Sequence, residues 1–334
     1  MNSKQCMYVF LIICMGISIL YVQRSRSDYI TKNILAVLQE YTLSYDIDKK
    51  SVNDTTDITQ EAPSLDTCTE LIKKINCFVK NRKPIILTMV GFPYKSSHTK
   101  DKVLSSCADA AERYSLVYIH TLLEKIKKIY EPGAKLFIFT DGIAFCDIEK
   151  VSDAIVIEYE NTLKTLILDL PYIEILTMQD LCPHQSLDEI RMLISNMNPS
   201  LESFREMVDK DTKLQNDVRV LTQRLAFELA LLPLTQNEIA EIGLQETQRS
   251  LQYGNFLKPF RPEETITCSV HYQKDPNRKI GLKLSDSCVT AWHGVLVETG
   301  GNFTIEHLKD VDLTKYKKVL NTVNDVEISH LQNK

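Results

Sequence analysis

At 334 residues the chain is long enough for about two domain-equivalents and a sizeable core, so it needs neither disulfide staples nor a structural metal to fold. Its 39 Lys+Arg against 44 Asp+Glu leave a formal charge of −5, and 44% hydrophobic with 25% charged residues is ordinary globular usage. These values exclude wholesale disorder, a collagen repeat, a polytopic membrane protein and the broad basic footprint of a nucleic-acid binder.

The first feature along the chain is residues 7–22, sixteen residues without a charge, with Lys4 before them and Arg24 after. A spanning helix takes about 17–25 apolar residues, so the run is short but near range. The preferred reading is a single-pass anchor within residues 1–29. A cleaved signal peptide, with Gly16–Ser18 as its only small-x-small site, and a buried helix are the alternatives. Arg24, Arg26 and Lys32 outweigh Lys4 and the terminal amine, which puts the body on the cytoplasmic side. The nine cysteines show no CxxC pair, as expected of reduced, scattered, mostly buried thiols. The sequons at Asn53 and Asn302 are too common by chance to reverse that placement.

Residues 30–79 are read as a helix and polar linker, with 44–66 too polar to bury much apolar area, and 80–334 as the folded domain. PIILTMV (84–90) is a continuous apolar run ending at Gly91-Phe92-Pro93, which predicts a buried strand. Helical spacing from Ala108 to Tyr130 stops at Pro132-Gly133. KLFIFTDG (135–142) predicts a second strand, Ser152 or Asp153 caps a helix through Leu166, and YIEILTM (172–178) predicts a third. Residues 187–253 read as helical, including one long amphipathic stretch over 201–232. After Pro259, TITCSVHY, KIGLKL, GVLVET and FTIEH read as a C-terminal antiparallel group separated by DPN and GG turns. The expected architecture is α/β: a Rossmann-like parallel sheet core, a helical insert and C-terminal β-strands.

Standard signatures are missing. There is no GxGxxG, GxxxxGK[ST] or GxSxG, and the seven histidines form no HxH, HxxH or HExxH. The candidates are polar residues where strands end. The loop after the first strand carries Tyr94, Lys95, Ser96 and His98, a set able to offer donors and a cation to a phosphate, or to be an ordinary polar loop. Asp141, with Asp147 downstream, could hold an amine or hydroxyl, although Asp-Gly is first of all a turn. Ser269-Val270-His271 and Trp292-His293-Gly294 each place a histidine in or beside a β-segment. Histidine carries protons near neutral pH, but a lone strand histidine is more often structural. Trp292, the only tryptophan, could wall an aromatic substrate.

Taken in order, GFPYKS (91–96), KVL (102–104), DAAERYSL (109–116), YEPGAKLFIFTDG (130–142), FCD (145–147), RSLQYGNFL (249–257), SVH (269–271), KIGLKL (279–284) and AWHGVLV (291–297) resemble the isocyanide synthase family. This is the pyoverdine/dityrosine biosynthesis group, which includes the fungal enzyme making N-formyltyrosine for spore walls. The resemblance spans about residues 80–305. It implies a condensation without a cofactor, in which an aromatic amino acid, tyrosine favoured, adds through its amine to the C2 ketone of ribulose 5-phosphate. The resulting imine becomes an isocyanide, which hydration turns into an N-formyl product. On this view Lys95, Ser96 and Arg249 form a phosphate clamp, His271 and His293 move protons together with Lys95, and Asp141 or Asp147 holds the amine. Tyr94, Ser269 and Trp292 complete the substrate pocket, and a downstream oxygenase or cytochrome P450 is the expected partner.

The chain also departs from the family pattern. Ile143 stands where the family usually has arginine after Asp-Gly, Thr267 where it usually has the arginine of Arg-Leu-Ser-Ile-His, and Ala291 where proline precedes Trp-His. Losing two bidentate anion ligands keeps open a catalytically degenerate binding protein on the same fold. An unrelated phosphosugar or nucleotide enzyme is the third reading.

Overall fold

The computed structural model describes residues 26–44, 62–287 and 289–334. A helix over 26–40 (α1) and α2 (Thr69–Asn81) precede the strand–helix alternation. That alternation runs β1 (Ile85–Val90), α3 (Ala110–Ile129), β2 (Ala134–Phe139), α4 (Gly142–Phe145), α5 (Asp153–Leu166) and β3 (Ile173–Leu176). The strands form because apolar runs bury Ile85, Leu87 and Met89 beside Leu136 and Ile138, in parallel register. The α3 helix starts where Asp109 accepts from the Ala111 amide and Glu112 reaches back to the Asp109 amide. Ser152 caps α5, accepting from the Ile155 amide.

A helical segment follows: α6 (Met178–Leu181), α7 (Leu187–Ser195), α8 (Leu201–Lys210), α9 (Thr212–Glu228) and α10 (Gln236–Phe256). The single amphipathic stretch expected over 201–232 is in fact two helices. Asp211 closes α8, and its carboxylate then accepts from the Lys213 and Leu214 amides to start α9.

The chain then returns to the sheet as β4 (Ile266–Ser269) and β5 (Ile280–Gly281), giving the all-parallel order β3-β2-β1-β4-β5. This corrects the expectation that both segments join an antiparallel group. An alternating four-residue run such as Ile-Thr-Cys-Ser reports a half-buried strand but not the direction of its partner. Residues 41–43 flank β5, with the Leu43 amide donating to the Gly281 carbonyl at 2.8 Å. Antiparallel pairing begins only with β6 (Val295–Thr299) and β7 (Asn302–Glu306), joined across Gly300-Gly301. Two strands absent from the sequence reading, β8 (Tyr316–Val323) and β9 (Val326–Asn333), complete a second sheet of order β7-β6-β9-β8. The α3 helix touches β2 as well as β6 and β9, so it is the layer between the sheets. Ile34 and Leu38 of α1 and Ile75 of α2 share the core with the central strands, and the six described cysteines are free thiols, four of them buried.

The single-pass anchor with a cytoplasmic body is corrected. Among the described residues no helix is long and apolar enough to cross a membrane. The 7–22 run on which that reading stood falls below the usual spanning length and lies outside the described residues, as does most of the expected 44–66 linker.

The sheet order turns at β1: the chain builds outward through β2 and β3, then resumes on the other side with β4 and β5. In such sheets the crevice lies outside the carboxyl ends of the strands flanking the turn. Here those ends are Val90 and Ser269.

Candidate active site

Three loops meet at this edge. After β1, Phe92 takes a left-handed backbone (φ 59°), costly for a bulky side chain. It is held there by complete burial and by Trp292, whose ring centroid lies 5.1 Å away. Pro93 then presses on the start of α4, where a Cβ on Gly142 would sit 2.1 Å from the Pro93 carbonyl oxygen. The Asp-Gly pair is therefore a close approach between two loops as well as the entry to a helix.

Two charged clusters occupy this edge, built differently. In the first, the fully buried Lys95 ammonium donates to Asp109 Oδ1 (3.0 Å), Glu112 Oε2 (2.7 Å) and the Ala291 carbonyl (2.9 Å). Burial works against the charge, but Asp109 and Glu112 more than reverse it and hold the ammonium above its ordinary value. All three of its protons are committed. Lys95 thus ties the Trp292 turn to the first turn of α3, with no donor left over for the expected phosphate.

The second cluster surrounds Arg224 of α9, which donates to Glu246 of α10 at 3.0 Å. Glu149 couples electrostatically with Glu246 and with the Tyr94 hydroxyl, which is buried with no hydrogen-bond partner among the described residues. Two buried carboxyls that feel each other's charge disfavour ionising together. Burial raises both above the usual carboxylate range, each reinforced by neighbouring negative charge and opposed by Arg224. Asp141 completes the group. Burial pushes it up to about 7, Glu149 adds to the shift, and His271 and Arg224 pull it back. Its Oδ1 has no hydrogen-bond partner among the described residues. Acid outnumbers base here, burial favours the protonated carboxyls, and the buried Tyr94 hydroxyl lies among them.

Histidines flank the cluster. His271 follows β4 on the Asp141 side, where the Ser269 hydroxyl accepts from its amide at 3.1 Å and fixes the turn. His293 lies in the Ala291–His293 turn. Its Nδ1 is 3.1 Å from the Thr290 hydroxyl and its Nε2 3.6 Å from Glu228 Oε1. Burial drives its pKa down to about 3, against the pull of Glu228, so the ring is neutral at pH 7. Facing a carboxylate, it carries its proton on Nε2. Burial alone would raise Glu228, but His293, Lys102 and the Ser96 hydroxyl outweigh it and leave about 2. Ser96 and Lys102 bind this carboxylate, and His98 bonds the Glu228 carbonyl at 2.8 Å. The polar loop after β1 is therefore a clasp on the end of α9.

His271, His293, Asp141, Tyr94 and Trp292 are brought together, with Ser96 and Ser269 supporting them. Asp147 and Arg249 are placed elsewhere. Asp147 faces Arg191 (3.9 Å) and Arg249 (3.5 Å), and Arg249 also donates to the Ala144 carbonyl at 3.0 Å. Both residues fasten α4 to the helices, apart from the group expected to hold substrate with them. His293 is not on a strand of the parallel sheet: it sits in the turn before β6, whereas His271 follows β4. Sequence reading missed Glu149, Arg224, Glu228 and Glu246. The spacing of Arg224 and Glu228 on one helical face was visible, but such pairs usually mark a solvated surface. Among the described residues no group of three or more His, Cys, Asp or Glu side chains is arranged as a metal ligand set.

A parallel sheet turning at β1, with coupled buried carboxyls and histidines at its carboxyl edge, defines an acid–base enzyme site. The sequence profile of the pyoverdine/dityrosine biosynthesis proteins matches residues 75–319, and the chain belongs to that family. It is 29% identical over 255 residues to the L-tyrosine isonitrile synthase of Xenorhabdus nematophila, covering 70% of this chain and 74% of that one. It is 28% identical over 260 residues to an L-tryptophan isonitrile synthase of Fischerella ambigua, covering 73% and 78%. The PvcA protein of Pseudomonas aeruginosa shares its fold, with a TM-score of 0.76 at 24% identity over 91% of this chain and 100% of that one. The chain is an enzyme of the isonitrile synthase kind.

Proposed function

We propose that this enzyme builds an isonitrile on the amine nitrogen of an aromatic amino acid, tyrosine favoured, with ribulose 5-phosphate supplying the carbon. The observation that carries the reading is the group of carboxyls Glu149, Glu246 and Asp141, raised by burial and coupled electrostatically, with Asp141 Oδ1 and the Tyr94 hydroxyl buried and unpartnered among the described residues. Addition of the amine to the C2 ketone needs an acid to protonate the carbonyl oxygen and a base to take the amine proton. Protonated Glu149–Glu246 fits the first role and Asp141 with His271 the second, while neutral His293 accepts or relays a proton. Loss of water then gives the imine, from which proton transfers and departure of phosphate and carbon fragments leave the isonitrile. Tyr94 and Trp292 bracket the amino acid ring, and Ser96 and Ser269 hold the loops in place. Hydration would supply an N-formyl product for dityrosine-type walls or secondary metabolism, with an oxygenase or cytochrome P450 acting next.

The test is incubation of the purified protein with tyrosine or tryptophan and ribulose 5-phosphate, with mass spectrometry for the isonitrile and N-formyl products. Formation with either amino acid supports the reading, and no product from folded protein across aromatic amino acids ends it. One observation favours a second reading. Ile143 is fully buried in the core where the family usually carries an arginine, so that anion ligand has no equivalent there. A binding protein without turnover would take up tyrosine or the sugar phosphate in calorimetry and yield no product.

A further inference from the structure

The helical segment that carries Arg224 and Glu246 is held firmly at one end and lightly at the other. At its base the Gln252 side-chain amide donates to the Ser195 and Met197 carbonyls (2.9 and 3.0 Å), and that of Gln248 to the Pro199 carbonyl (2.9 Å). The chain therefore leaves for α8 and returns along α10 at one place. Tyr253 fastens that place to the sheet by donating to the Thr140 carbonyl at 2.8 Å, and Tyr253 and Phe256 belong to the main core. The outer half does not share that core. Leu225, Leu229, Ile239 and Ile242 form a small cluster of their own, and Ile148 is its one buried member from outside the segment. α9 packs along α8 and α10, and Leu225 is the only buried one of its 17 residues. A Cβ on Gly243 would lie 2.1 Å from Thr222 Oγ1, so α9 and the first half of α10 are in contact close enough to behave as one body.

The far end lies roughly 24 Å along α10 from this base, at about 1.5 Å per residue from Gln236 to Gln252. What holds it is mostly polar. The Glu228 carboxylate accepts from Ser96 (3.0 Å) and Lys102, and its carbonyl bonds His98 Nε2 at 2.8 Å. Phe227 beside it stacks on the His98 ring (5.0 Å), with the Lys102 and Lys309 ammonium groups over its face. Such bonds can be traded for bonds to water, as an apolar core contact cannot. The segment thus bridges the carboxyl edge from Thr140 to Ser96, and Tyr94 and Glu246 beneath it are buried. Arg224 meets solvent, but an amino acid does not reach Tyr94 or Glu246 while the bridge is shut. We infer that α8, α9 and the first half of α10 form a lid over the acid group, hinged at Gln248 and Gln252 and latched by Glu228 on Ser96, Lys102 and His98, which opens to admit substrate. That the substrate is an aromatic amino acid rests on the proposed function; the hinge and the latch do not.

Hydrogen exchange of the full chain, followed by mass spectrometry, tests this in the wild type, Glu228→Gln, Ser96→Ala and, as a charge control on the lid away from the latch, Lys210→Gln. In Glu228→Gln we expect the amides of residues 212–242 to exchange at least about tenfold faster, the scale of one lost charge-assisted bond. Amides of β1, β2 and α10 beyond Gln248 should keep their wild-type rates, and Lys210→Gln should match the wild type throughout. Ser96→Ala removes one bond and no charge, so the same pattern at smaller amplitude remains informative even where Glu228→Gln fails to fold. Saturating tyrosine should slow the same amides in the wild type. Equal rates over 212–242 in the wild type and the folded latch variants overturn the lid. Acceleration that spreads evenly through β1 and β2 overturns it too, because the bonds are then ties of the whole fold. Acceleration confined to the lid, with no response to any aromatic amino acid, would leave the lid standing and remove the substrate. Isonitrile formation with exchange unchanged in the variants would do the reverse.

Discussion

The Lys95 and Arg224 clusters are made of the same materials, a cation facing buried carboxyls, but Lys95 is fully buried while Arg224 is 35% exposed, and they have different work. Around Lys95 every proton has an acceptor: two carboxylates and a backbone carbonyl close the set at 2.7–3.0 Å. Around Arg224 the carboxyls Glu149, Glu246 and Asp141 outnumber the cation, and burial raises all three above the ordinary carboxylate range. Burial also raises Glu112 beside Lys95, to about 8, so a raised carboxyl by itself does not separate the clusters. The first arrangement is closed and fixes loops. The second reaches solvent through the partly exposed Arg224, and perturbed groups that a substrate can reach mark a site.

That contrast can be broken in order of effect. Lys95→Met should be the most damaging single change, because it leaves Asp109 and Glu112 buried without their counter-ion. Removing one partner of a buried pair costs about 3–5 kcal/mol, which a urea melt will show. His271→Ala and His293→Ala should each reduce turnover at least roughly 100-fold, the scale of a lost general acid or base, with melting temperatures nearly unchanged. A melting loss like that of Lys95→Met would move either histidine to the structural group.

The pH dependence of stability follows from Asp141 and from Glu160, which bonds the Thr140 hydroxyl at 2.5 Å; burial holds each carboxyl at about 7. Below about pH 4 both groups are protonated whether the chain is folded or not. As pH rises from there to about 7 the unfolded chain releases these protons and the folded one keeps them, so stability falls across that window. Asp141→Asn should flatten the fall, which denaturant midpoints at pH 5 and pH 7 would measure. The smallest effect is expected from Ser152→Ala, which removes the α5 cap at a cost of about 1 kcal/mol and leaves turnover intact.

Much of this architecture was legible before any coordinates. β1 and β3 lie within the predicted apolar runs, β2 starts one residue before its run, and α3 and α5 lie within the predicted helical spans, because buried parallel strands write themselves as apolar runs. β4 and β5 were seen as strands but assigned the wrong partners, since two to four residues of alternation carry no direction. β8 and β9 were not seen at all. Their outward residues, Lys317, Lys318 and Asn321 among them, dilute the apolar signal. In the site, residues on strand ends were found because loops after strands are where function gathers. Glu149, Arg224, Glu228 and Glu246 were not, because burial of a helix's polar face depends on what the helix packs against. Lys95 was found but misread, because sequence shows that a lysine is present and not that Asp109, Glu112 and a carbonyl are already waiting for it.

The claim that the Arg224 cluster is the reaction centre is tested most directly by the rate of isonitrile formation in Glu246→Gln, taken on protein shown to be folded. The amide keeps the shape and the Arg224 neighbourhood but cannot ionise, so it can neither give nor take a proton beside Glu149. The account predicts a rate lower by about 10²–10⁴ with stability equal to or above that of the wild type. A folded Glu246→Gln that forms the product at the wild-type rate would contradict it.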